Sequence, residues 1–124
     1  MLDTNIFDLI LADEHGRLRA GLEDSQRVAP YVCEVQLEEL VGIEDEARRA
    51  ALLELARGLC RVVSSADAAA FGAAKHARDA AILAAAANRC DCLVTQDAGL
   101  REQARRHGVA AFSLAEFAAQ AGLG

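Results

Sequence analysis

The chain has 124 residues, 53% apolar and 26% charged, enough for one hydrophobic core and one domain spanning 1–124. Thirteen Lys plus Arg against nineteen Asp plus Glu leave a net charge of −6, which excludes a protein that coats nucleic acid by bulk positive charge. It does not exclude an enzyme that meets phosphate through metal ions and a local basic patch. No run of about 18 uncharged apolar residues occurs, so no membrane span is expected. MLDTNIFDLI carries an acid at position 3 and lacks the basic region of a signal peptide, so the expected location is cytoplasmic.

Leu2-Asp3-Thr4 is a short apolar-polar start, and Asn5 followed by IFDLILA reads as a capped helix, with Asp8 in its first turn near the positive helix end. Asp3 then falls between a strand and a helix N-terminus. His15-Gly16 breaks the pattern, and Leu18 to Leu22 resumes it as a second short helix. Arg27 to Cys33 is a strand candidate with Pro30 near its beginning. Val35 to Ile43 reads as helical, as does Glu44 to Gly58, where Ala47, Leu52, Leu53, Leu55 and Ala56 are core candidates. Cys60 to Val63 reads as a strand and Ala66 to Gly72 as a helix.

The next stretch, RDAAILAAAANRCDCLVTQDAGL, is the densest in chemistry. From Asp79, the positions Ile82, Leu83 and Ala86 form one apolar helical stripe, with Asp79 at its N-terminal end. Cys92 to Thr95 reads as a buried strand, and Asp97 follows it as the cap of a helix that runs to about His107 and stops at Gly108. Val109 to Phe112 is a last strand, and Ser113-Leu-Ala-Glu116 is a capping box opening a terminal helix. Strands alternating with helices imply an α/β fold with a mainly parallel sheet covered by helices on both faces.

Cys33, Cys60, Cys90 and Cys92 lack the paired CxxC spacing of a structural zinc site and read as reduced, mostly buried thiols.

Asp3, Asp79 and Asp97 fall at strand ends or helix starts, and a fourth acid comes from Glu38 or Glu39. In a parallel sheet all carboxyl strand ends share one edge, so these acids can converge. Converging carboxylates repel one another unless a cation neutralises them, and Arg78 beside Asp79 is the one base of that stretch in view. A metal ion is then the economical partner. All-oxygen donors favour Mg²⁺ or Mn²⁺, which can polarise a phosphate and activate water. Relieved repulsion would make Asp3→Asn as stable as the parent, or more so, in metal-free buffer.

LDTNIFD, QLEELVG, RDAAILAAA and CLVTQDAGL, in this order, resemble the motifs of PIN-domain nucleases, most closely toxins of VapBC-type toxin–antitoxin pairs. The resemblance covers nearly the whole chain. It implies a three-layer α/β/α sandwich and a metal-dependent endoribonuclease that leaves 5′-phosphate and 3′-hydroxyl ends. An antitoxin partner and a homodimer are implied as well. Position by position it places Asp3, Glu39, Asp79 and Asp97 as catalytic and metal-holding acids, with Asn5 and Thr95 in support. Glu39 precedes Leu40 as the family's Glu does, while Glu38, four residues before Gly42, stays open as the helical acid. Arg78, Arg101 and Arg105, with Arg106, Lys75 and His76 nearby, are the candidates for RNA phosphate. The rivals are a PIN-like domain that binds RNA or protein without catalysis, and a receiver-like phosphoacceptor. The second is poor: the strand ending at Val63 is followed by Ser-Ser rather than Asp, and Lys75 is the sole lysine.

Overall fold

The computed structural model describes residues 1–64 and 77–123. Among these the protein is α/β, mostly helical with small parallel sheets. Its elements are α1 (Thr4–Ala12), α2 (Arg17–Asp24), β1 (Tyr31–Cys33), α3 (Glu34–Val41), α4 (Glu46–Leu59), β2 (Arg61–Val63), α5 (Ala77–Arg89), β3 (Cys92–Val94), α6 (Ala98–Arg106), β4 (Ala110–Phe112) and α7 (Leu114–Ala121). The expected helix over Ala66–Gly72, Lys75 and His76 lie outside the described residues. No described helix is long and apolar enough to cross a membrane.

Helix starts follow local chemistry. Asp45 and Asp97 accept from the main-chain N–H groups of Arg48 and Leu100, and Ser113 with Glu116 forms both halves of a capping box. The first helix departs from expectation. Asp3, not Asn5, is its cap, the helix begins at Thr4, and Asp8 therefore falls beyond the first turn. Asp8 faces Arg48 on the surface instead, at 3.2 Å. Two cap-type residues flank Thr4, and the earlier one wins because the Asn5 amide is engaged elsewhere, as described below. Gly108, at φ 77°, stands in the left-handed region just past α6, where a side chain would be strained.

The strands are shorter than the sequence suggested. β1 keeps only Tyr31–Cys33 of the expected Arg27–Cys33 stretch. The Pro30 carbonyl still accepts from the Arg61 N–H. β1 pairs in parallel with β2, Val32 opposite Val62, and β3 pairs in parallel with β4, Leu93 opposite Ala111. Met1–Asp3 runs between the two pairs. The Leu2 N–H donates to the Tyr31 carbonyl at 3.0 Å on one side. On the other, the Asp3 N–H donates to Val94 and the Val94 N–H to Met1, at 2.9 and 2.8 Å.

Side chains alternate along these extended segments. Leu2, Val32 and Val94 join a cluster with Ile6, Phe7, Ile10, Leu40, Leu52 and Leu55 from α1, α3 and α4. Their chain neighbours Met1, Cys33 and Leu93 join a second cluster with Ile82, Leu83 and Ala86 of α5 and Leu100 and Ala104 of α6. Ala47, expected in the core, is exposed. In α5 burial is not a stripe: every residue from Ala80 to Ala86 is buried. Alanine is small enough for β1, β3 and α3 to close on the helix from more than one side. None of the four cysteines forms a disulfide, Cys33 and Cys60 are buried, and burial pushes the Cys60 thiol up to about 12.

Gln36 was not singled out by the sequence, yet its side chain is fully buried and ties the two halves of this architecture. Its Oε1 accepts from the Cys33 N–H at 2.8 Å, and its Nε2 donates to the Leu2 carbonyl at 2.7 Å. It stands three residues after Cys33, the N-cap of α3, where a capping-box Gln belongs, and that position was the available signal. Gln36→Leu removes an amide that serves β1 and the N-terminal segment at once. It should lower stability by about 2 kcal/mol, read as a lower urea midpoint at unchanged slope.

Candidate acidic site

The site is built outward from Asp3, a carboxylate with 2% exposure. Its position follows from Met1–Asp3 being hydrogen-bonded on both sides just before α1 begins. One oxygen, Oδ1, accepts from the Thr4 N–H at 2.8 Å and from Arg78 Nη2 at 2.7 Å. The other, Oδ2, accepts from the Thr95 hydroxyl at 2.6 Å and, longer, from Asn5 Nδ2 at 3.4 Å. A buried carboxylate is tolerated only where such donors replace water.

Arg78, near the start of α5, is the hub. Its Nε reaches the Glu39 carboxylate at 2.6 Å, Nη1 reaches Asp79 at 3.0 Å, and Nη2 bonds the Thr4 hydroxyl as well as Asp3. One planar fork thus joins α1, α3 and α5. Burial works against its charge, but the bonds to Glu39 and Asp3 and the charge of Asp3 outweigh it and hold the guanidinium above its usual range.

This arrangement corrects the expectation that the acids lack a basic partner. Arg78 was seen as a neighbour of Asp79, and the fold carries it to Asp3 and Glu39 as well. The corollary also changes. Asp3→Asn removes a bonded charge rather than a repelling one, so it should destabilise the metal-free protein.

Asp3, Glu39 and Asp79 therefore meet around one cationic group. Glu38 does not join them; it lines a surface groove with Leu37, Val41, Arg57 and Val62. Asp97 is connected through its main chain, its N–H donating to the Thr95 hydroxyl at 3.1 Å, while its exposed carboxylate caps α6 at the Leu100 N–H. Asn5 is a brace: Nδ2 lies 3.4 Å from both Asp3 and Thr95, and Oδ1 accepts from the Gln96 N–H. Arg101 donates to the Thr95 carbonyl and Arg105 to the Ala111 carbonyl, so each pins α6 to the β3–β4 edge with part of its guanidinium. Arg106 pairs with Glu102 on the surface.

The donor set suits a hard divalent cation, since the side chains offer carboxylate, hydroxyl and amide oxygens. Among the described residues no three Asp, Glu, His or Cys side chains are grouped closely enough to share one ion as they stand. No family model matches the chain, and no curated protein and no solved structure matches it.

Thr95 is fully buried, with one hydroxyl serving Asp3 and the Asp97 main chain together. Thr95→Val keeps the shape and removes these bonds and the longer one from Asn5, and should cost about 2 kcal/mol of stability. Thr95→Ser keeps the hydroxyl and should cost about 1 kcal/mol for the lost methyl. Denaturation of the two variants side by side reads the difference.

Proposed function

We propose that the chain is a Mg²⁺- or Mn²⁺-dependent endoribonuclease with the three-layer α/β/α architecture of PIN domains. In this reading Met1–Asp3 is the middle strand of one sheet in the order β2, β1, residues 1–3, β3, β4. Support comes from its hydrogen bonds to both strand pairs and from the alternation of strand side chains between two cores.

The observation that carries the activity is the meeting of Asp3, Glu39 and Asp79 at one corner, beside Asn5 and Thr95. The motifs LDTN, QLEELVG, RDAAILAAA and CLVTQD, which resemble those of PIN nucleases, supply these residues, and Asp97 stands one hydroxyl away. Asp3, Glu39, Asp79 and Asp97 would hold the cation, which would polarise the scissile phosphate and activate water. Thr95 and Asn5 keep Asp3 oriented. Arg78, Arg101 and Arg105 are the bases available to RNA phosphate, Arg101 and Arg105 from the helix that Asp97 caps.

The proposed setting is a toxin–antitoxin pair in the cytoplasm, with the nuclease as a homodimer. The acids already accommodate a guanidinium, which suits inhibition by an arginine from the antitoxin. A second reading, a PIN-like binding domain without catalysis, draws on the same fact, because Arg78 ties up the acids that catalysis would need.

Single-turnover cleavage of a generic RNA in Mn²⁺ separates the two. Asp3→Asn, Asp79→Asn and Asp97→Asn should each slow cleavage by about a hundredfold or more, and Glu39→Gln should lose far more than Glu38→Gln. Circular dichroism on each variant checks folding. Cleavage by Asp3→Asn at the parental rate removes the activity from this site. Absence of cleavage in the parent favours the binding domain.

A further inference from the structure

We infer that Arg78 is a built-in stand-in for the cation: it occupies the acid cluster in the metal-free protein, and a divalent ion must displace it to bind. The inference rests on the metal reading and adds to it a regulation of uptake by the chain itself.

Three observations lead there. First, the guanidinium bonds three carboxylates from three helices or their caps at 2.6 to 3.0 Å, so it stands among the oxygens that a cation would use. Second, Asp3 is almost fully buried and its Oδ2 is engaged by the Thr95 hydroxyl, so an ion reaching for Oδ1 meets Arg78 there. Third, three carboxylates against one guanidinium leave negative charge uncompensated at the corner, so a divalent ion is still attracted to it. Attraction from outside combined with occupation from within is a competition. Apparent metal affinity then falls by the fraction of molecules in which Arg78 is withdrawn, about tenfold if that fraction is about a tenth.

Lysine could not serve in the same way. Its ammonium is a point charge, whereas the guanidinium presents separate N–H groups to Glu39, Asp79 and Asp3 at one time. The binding of metal and the release of Arg78 are coupled reciprocally: whatever draws the guanidinium away, such as a phosphate, tightens the metal by the same factor.

The test is calorimetric titration of Mn²⁺ into the parent, Arg78→Ala, Arg78→Lys and Asp3→Asn proteins, with melting temperatures in EDTA and in Mn²⁺. Arg78→Ala should bind Mn²⁺ about tenfold or more tightly than the parent. It should melt lower in EDTA and gain more on adding metal. Arg78→Lys should fall between the two, and it carries the comparison if Arg78→Ala does not fold in EDTA. If the parent binds Mn²⁺ at a site that Asp3→Asn loses, while the Arg78 variants bind no more tightly, the competition is wrong and the metal site stands. If no protein of the set binds Mn²⁺, the metal reading fails and the competition with it.

Discussion

The corner of this molecule depends on keeping one carboxylate charged with almost no access to water. Asp3 meets that requirement with donors from four places: the N–H of the helix it caps, a hydroxyl from the end of β3, an arginine from α5 and, at longer range, the amide of Asn5. Each partner in turn is positioned by an element that the core holds. The main chain of Asp3 is bonded to Val94, the Thr95 N–H to the Phe112 carbonyl, and α5 is buried along Ala80–Ala86. Moving any of these pieces would strand a charge, so the polar corner and the apolar clusters specify one another.

Arg78 gives this corner its double character. As a structural residue it is a fork that fastens three helices. As an electrostatic one it is the counter-charge that makes a crowd of acids stable before any ligand arrives. Catalytic carboxylates commonly carry a stability cost, because their repulsion serves only the loaded state. Here the repulsion among the acids is offset from within, and in the proposed metal reading a cost is shifted onto ligand binding instead.

Much of the local structure was readable because it is made by neighbours in sequence. Asp45, Asp97 and Ser113 with Glu116 announce their helices, since a cap and its N–H lie within a turn. The errors share the opposite cause. Asn5 looks like a cap until Gln96, 91 residues away, engages its amide. Gln36 was not singled out, because the Leu2 carbonyl that it meets lies 34 residues away. Arg78 could be paired with Asp79 by adjacency, but Asp3 and Glu39 are 75 and 39 residues distant. Hydrophobic period likewise predicted a stripe on α5, because a run of alanines gives no sign of how many neighbours will close on it. The choice of Glu39 over Glu38 came from a resemblance, and helical period left both open. In the fold Glu39 meets Arg78 and Glu38 lies in a groove.

The placement of Met1–Asp3 between residues from two distant parts of the chain also has a bearing on biosynthesis. The opening residues find one set of main-chain partners at Tyr31 but must wait for the other at Val94. Synthesis runs from the N-terminus, so until Val94 and Thr95 have been made residues 1–3 lack their second neighbour and Asp3 lacks Thr95. Closing a separation of some 90 residues is among the slow, non-local steps of folding. The acid corner is thus a late product of the nascent chain, completed only after Thr95 has been made.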